Sequence, residues 1–275
     1  MIMQYWDSNF VNRSAIFEPF SFLRKYLANF SCWPSVHDLN NLCALRNQII
    51  VTRSGKPVNF VSQRSGKQNR EQKYESRIYL SGHIQTRAQN WHDFFNALVW
   101  QVFPQSKSIL NQIHYRAQLT ESKNNINNRC AIRDVATSFD ESGIIVISSN
   151  PTLIQLLEHF RWKELFWRHR KSILSSMRFF VYGHGLYEKA LNPYSGMTGK
   201  GIIFRVENDY FSKTLSDQLL SADKMLESFL SQTLLSSSTL TPIPLLGYPG
   251  WIRDNENEAY YDNKEYFRDR RRFSS

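Results

Sequence analysis

The residues with the most capacity for chemistry are gathered in two short motifs, Asn90-Trp91-His92-Asp93-Phe94-Phe95-Asn96 and Gly183-His184-Gly185-Leu186-Tyr187-Glu188. Around the first, apolar residues at Trp91, Phe94, Phe95, Leu98, Val99 and Val102 follow the series of one helix face, and His92, Asp93 and Asn96 lie side by side at its edge. Burying such polar groups without partners costs about 2–7 kcal/mol each on transfer scales, so they either hydrogen-bond for structure or line a site. Structure alone explains two of them: Asn90 is placed as an N-cap, Asp93 can complete a capping box, and His92 can donate to a carbonyl. Asn96 is left over. As a site, His92 is a ligand or general base oriented by a carboxylate.

In the second motif, His184 and Glu188 are four residues apart at the start of a helix that follows a strand, and so share a face. The spacing suits a metal site or an acid paired with its base, although any surface helix can show such a pair. Asp140 and Glu141, read as part of a turn, supply carboxylates that with His184 and Glu188 would complete an oxygen and nitrogen ligand set for a divalent metal. Turns favour Asp for reasons of their own. The segment Gly196-Met197-Thr198-Gly199-Lys200-Gly201 mixes glycines with a lysine as phosphate-cradling loops do, but lacks the P-loop spacing. A G-x-S-x-G elbow, an H-E-x-x-H helix and a G-x-G-x-x-G turn are absent, which argues against serine hydrolases, zincins and dinucleotide enzymes.

The elements that must position these groups can be sketched from periodicity. Helices are expected over Phe17–Phe30 and Ser35–Leu45, separated by Pro34, with Ser35 as N-cap and Asp38 closing a weak capping box. A strand follows at Val58–Val61, then an exposed polar stretch. The Asn90 helix ends at Pro104, and a second helix runs over Gln105–Leu119. Val135–Phe139 and Ile144–Ile147 read as a β-hairpin turning at Asp140-Glu141-Ser142-Gly143. Helices are expected at Pro151–His159, Lys163–Ser176, His184–Leu191 and Ser212–Leu235, with strands at Arg178–Tyr182 and Gly201–Val206. The fold class that results is α+β: a single globular domain over 1–275, helix-rich, with a small mixed or antiparallel sheet and an extended C-terminal arm. Within it fall an N-terminal helical part (1–50), a basic loop (53–77), a core (78–250) and the arm (251–275).

Four segments carry a resemblance to a known family: NWHDFFNALVW at Asn90–Trp100 followed by Phe103-Pro104, Phe139-Asp140-Glu141-Ser142-Gly143, Gly183–Lys189, and Pro244–Trp251. With them the chain resembles the bacterial family known as domain of unknown function 3025, from about residue 74 onward. The resemblance implies a soluble, single-domain bacterial protein and brings no catalytic residue or cofactor with it.

Composition sets further bounds. The 275 residues are 41% hydrophobic, enough for one large core. The three cysteines, Cys32, Cys43 and Cys130, are odd in number and form no C-x-x-C, so a disulfide framework is not expected. Neither a signal peptide nor a membrane span is expected, and a cytoplasmic location fits. The net charge of +10 is concentrated in two places. Arg53, Lys56, Arg64, Lys67, Arg70, Lys73 and Arg77 face only Glu71 and Glu75, and the tail holds Arg268, Arg270, Arg271 and Arg272. These could bind phosphate backbones, with Tyr74, Tyr79 and Phe267 stacking on bases, or could simply be solvated. Three functions therefore stand: a hydrolase acting on a small substrate, phosphorylated or not, through a His/carboxylate site with or without a divalent metal; a nucleic-acid or ribonucleoprotein module; and a non-catalytic structural protein.

Overall fold

Apolar runs long enough to be covered on both faces define the centre of the molecule. In the computed structural model, which describes residues 4–44, 49–63, 74–123, 131–233 and 235–269, the run GIIVIS forms strand β3 (Gly143–Ser148) and every residue of it is buried. It is the second strand of a four-stranded sheet ordered β4-β3-β5-β6, with β4 at Met177–Val181, β5 at Thr198–Arg205 and β6 at Thr241–Pro244. β3 pairs antiparallel with β4 and parallel with β5, and β5 pairs antiparallel with β6. The sheet is mixed, as an α+β chain requires. A separate parallel pair joins β1 (Asn59–Ser62) to β2 (His83–Thr86).

Helices supply the rest: α1 (Arg24–Leu27), α2 (Val36–Ala44), α3 (Tyr74–Ser81), α4 (Trp91–Val102), α5 (Pro104–Lys123), α6 (Ala131–Ser142), α7 (Pro151–Glu158), α8 (Arg170–Ser176), α9 (His184–Ala190) and α10 (Leu215–Gln232). Ser35 does cap α2, accepting from the Asp38 amide while the Asp38 carboxylate accepts from the Ser35 amide. Pro104 separates α4 from α5 as expected. The N-terminus of α5 is fastened from a distance: buried Asp223 on α10 accepts from the amides of Gln105 and Ser106 at 3.0 and 2.8 Å. Residues after β6 pass through short 3₁₀ turns, burying Tyr248, Trp251, Tyr261 and Phe267. Buried apolar side chains from Phe10 to Phe267 form one cluster.

Three expectations are corrected. The hairpin at 135–147 does not form: Val135, Ala136 and Phe139 lie on one face of α6, the helix runs on through Asp140, Glu141 and Ser142, and Gly143 opens β3. Gly143 is needed for close packing, since a Cβ there would lie 2.5 Å from the Phe139 carbonyl oxygen. The Gly196–Gly201 segment is no anion loop, because Thr198 onward is strand β5, whose Gly199 and Gly201 make room for Ile144 and Ile243. Asp93 does not complete a capping box. Its amide donates to Asn90 Oδ1 at 3.0 Å, but its carboxylate takes the Arg87 backbone amide and guanidinium instead.

Candidate metal centre

The register of two strands brings the motifs together. Ile144 of β3 is opposite Val181 of β4, and the amides of Tyr182 and Gly183 both donate to the Gly143 carbonyl at 2.9 Å. The last turn of α6, with Asp140 and Glu141, is thereby set against the first turn of α9, with His184. The approach is close enough to require glycine at two places: a Cβ on Gly183 would collide with the backbone of Ser142 and Gly143, and one on Gly185 would lie 2.6 Å from Glu141 Oε2. α4 then packs across α9, with Phe95 stacked on Tyr187 at 5.6 Å between ring centres. Phe17 and Phe20, from the 3₁₀ segment Ala15–Leu23, stack on both rings.

His92 consequently faces His184, their Nε2 atoms 3.0 Å apart. Glu141 Oε1 stands 3.5 Å from each of those nitrogens. These three side chains form the group of potential metal ligands among the described residues. Ligands held tetrahedrally at about 2.0–2.1 Å from an ion stand about 3.3–3.4 Å from one another, which the three separations bracket. Behind the histidines, each Nδ1 faces another carboxylate: His92 Nδ1 is 3.1 Å from Glu188 Oε2, and buried His184 Nδ1 is 3.8 Å from Asp140 Oδ2. The carboxylate hydrogen-bonded behind His92 is the usual arrangement around a metal-binding histidine, whereas His184 Nδ1 is buried without a hydrogen bond and has the Asp140 carboxylate only as a neighbouring charge.

The carboxylates are themselves held. Buried Lys107 Nζ donates to Asp140 Oδ1 at 2.6 Å and to Asn96 Oδ1 at 2.9 Å, so Asn96 Nδ2 is turned toward the Tyr74 hydroxyl at 2.8 Å. Gln4 bridges two elements, its Oε1 accepting from the Trp91 amide at 2.7 Å and its Nε2 donating to Glu188 Oε1 at 3.3 Å. A cavity of about 310 Å³ opens beside the cluster, lined by His92, Glu141 and His184 together with Tyr74, Asn96 and His114.

Protonation follows from these contacts. Hydrogen bonds to Glu141 and then Glu188, against partial burial, raise the His92 imidazole from 6.5 to about 9. Burial pushes the Glu141 carboxyl up, but hydrogen bonds from His184 and His92 outweigh it and hold the group well below its usual range. A hydrogen bond from His92 lowers Glu188 as well. Burial opposes ionisation of Asp140, and the neighbouring Lys107 and His184 charges override it. Burial, then the charges of Glu75 and Asp140, push the Tyr74 phenol well above its ordinary value.

Residues 58–271 match the family model described as a protein of unknown function, DUF3025. The chain belongs to the DUF3025 family. No curated protein and no solved structure matches it significantly. This DUF3025 chain places all seven residues singled out by sequence around one centre: His92, Glu141 and His184 face each other, Glu188 and Asp140 stand behind the imidazoles, and Asp93 and Asn96 line the same cavity. His184 and Glu188 do not pair with each other, and each instead meets His92. Sequence reasoning missed Gln4 and Lys107, and saw Tyr74 only as a stacking ring. A lysine amid the buried run of α5 was the one available signal.

Of the proposed basic nucleic-acid residues, four lie among the described residues. Arg53 pairs with Glu227, Arg77 lies in α3, and Arg268 bonds the Glu265 carbonyl, while Lys56 is exposed. Arg64, Lys67, Arg70, Lys73, Arg270, Arg271 and Arg272 lie outside the described residues. No helix among the described residues is long and apolar enough to cross a membrane.

Proposed function

We propose that this protein is a metal-dependent hydrolase of a small substrate, its divalent ion held by His92 Nε2, His184 Nε2 and Glu141 Oε1. The observation that carries the reading is the convergence of His92 Nε2, His184 Nε2 and Glu141 Oε1 on a common point, with Glu188 hydrogen-bonded behind His92. Charge supports it. Asp93, Asp140, Glu141 and Glu188, with Glu75 on the same cavity wall, outnumber the permanent cations Arg87 and Lys107, an excess of negative charge that a dication would offset. Three protein ligands leave further positions for water and substrate, the pattern of catalytic rather than structural sites.

When bound, the ion would supply an activated water and polarise the oxygen of the bond to be cleaved. The chain's own groups do the rest. Glu188 holds the His92 imidazole in orientation, and Asp140 sets a negative charge beside His184. Lys107 turns Asn96 so that the Tyr74 hydroxyl accepts from Nδ2, leaving the phenolic proton available for donation into the cavity. Because that phenol stays protonated at neutral pH, it can donate to charge developing on a substrate oxygen. A phosphoester or a carboxylic ester or amide meets these requirements.

Calorimetric titration of metal-free protein with Zn²⁺ or Mn²⁺, beside His184→Ala and Glu141→Gln, tests the proposal. One ion per chain in the wild type, lost or weakened at least about a hundredfold in the variants, is expected, followed by metal-dependent turnover of a phosphoester or ester panel. Equal binding by all three proteins would sink it.

A further inference from the structure

Beside the metal cluster lies a second, larger cavity of about 700 Å³. The two adjoin at Gln63 and Arg87, which line both. They run along neighbouring faces of α4: His92, Asp93 and Asn96 border the smaller cavity, Asn90 and Phe94 the larger. The larger cleft opens at the carboxyl ends of parallel strands β1 and β2, from Ser62 and Thr86 onward, the end of a parallel pair where ligands are commonly received.

The lining has a definite character. One side is apolar, made by Trp33, Val36 and Leu39 with Phe94. It is preformed, because Trp33 Nε1 donates to the Gln4 carbonyl at 3.0 Å and its ring packs on Trp91 with centroids 4.8 Å apart. The opposite side is the turn Arg87–Asn90, in which Gln89 takes a φ of 53°, a conformation non-glycine residues seldom adopt. Where they adjoin, Arg87 is paired with Asp93 through contacts at 2.7 and 3.1 Å, so these two side chains together place no net charge on the border between the cavities.

We propose that this cleft is a second subsite of the same centre and receives an uncharged apolar tail, aliphatic or aromatic, attached to the group that reacts at His92, Glu141 and His184. The inference rests on the metal reading above and narrows its substrate to two-part molecules with a polar reacting head and an apolar tail.

Hydroxamates test it, since they offer one metal-binding head with variable tails. Zinc-loaded protein is titrated calorimetrically with acetohydroxamate and with octanohydroxamate. The longer tail is expected to bind at least about tenfold tighter through burial of its methylenes. Val36→Asp, at the first residue of α2 where a helix tolerates an acidic group, is expected to remove that gain while leaving acetohydroxamate within about twofold. Ala88→Trp, on the exposed turn, gives a second obstruction that leaves the core untouched. Equal affinity for the two hydroxamates would overturn the subsite and leave the metal reading standing. So would a tail-dependent gain that survives both variants. Zinc that fails to bind would remove the metal reading and this inference together.

Discussion

The Nε2 atoms of His92 and His184 face one another at 3.0 Å, a distance at which two lone pairs repel unless a proton or a cation lies between them. Without metal, the proton belongs to His92, raised to about 9 by Glu141 and Glu188. Its Nδ1–H then donates to Glu188 and its Nε2–H points to His184 Nε2. The cluster is thus arranged for a cation, and a proton takes that place.

This sets the pH dependence of metal binding. Below about pH 9 an entering ion must displace the His92 proton, so apparent affinity should rise about tenfold per pH unit from 6.5 to 9 and then level. Calorimetry in buffers of different ionisation heat should also show one proton released per ion at pH 7. A pH-independent affinity would show that His92 is no ligand.

Stability of the metal-free protein should run the opposite way. A group raised on folding stabilises fully below its unfolded pKa and loses that contribution as pH rises through its folded value, here between about 6.5 and 9. The lowered carboxylates Glu141 and Glu188 contribute above their unfolded values near 4.5, so they add no slope in that window. The melting temperature without metal should therefore fall from pH 6.5 to 9, and saturating metal should flatten the decline. Melting curves with and without a chelator measure both.

Gly185→Ala separates site from fold. Alanine normally favours a helix over glycine by about 0.5–1 kcal/mol, but here its Cβ would lie 2.6 Å from Glu141 Oε2 and push the ligand aside. Metal affinity is expected to drop at least about tenfold with little loss of helix by circular dichroism. An unchanged affinity would mean that Glu141 binds nothing.

How much of this was legible depended on the reach of each signal. α4 was readable because Trp91, Phe94, Phe95, Leu98 and Val99 repeat at helical spacing behind Asn90, which does cap it. α6 was misread because Val135–Phe139 is short enough to pass for a strand, and Gly143, required by contact with Phe139, looked like a turn glycine. The candidate residues were recognised by type, but their convergence rests on the pairing of Ile144 with Val181, a long-range register that no local pattern encodes. Gln4 and Lys107 acquire their roles through tertiary contacts, and the lysine's place in the buried run of α5 is the one local mark between them.

Gln4 lies outside the segment matched by the family model, yet it hydrogen-bonds the carboxylate behind His92. Losing a partner behind a metal ligand typically costs 10–100-fold in affinity, so Glu188→Ala should fall in about that range and Gln4→Leu, one step further out, by a few fold. Both should lower the pH at which the apparent affinity levels off, since His92 loses support for its proton. A melting temperature that falls with no change in affinity or pH profile would assign Gln4 to packing alone.

Lys107 places a buried cation between Asp140 and Asn96, with the Trp100 ring 5.5 Å from its Nζ. Removing one partner of such a pair strands the other in a poorly solvated position, at a cost of about 3–5 kcal/mol. Lys107→Met should show that loss in urea denaturation, and Lys107→Met combined with Asp140→Asn should recover a large part of it because no unpaired charge remains. The double variant should nevertheless bind metal less tightly than wild type, since the amide that replaces Asp140 removes a negative charge beside His184. Recovery of stability without recovery of affinity would place Asp140 in the centre's outer shell, and recovery of both would leave it a purely structural ion pair.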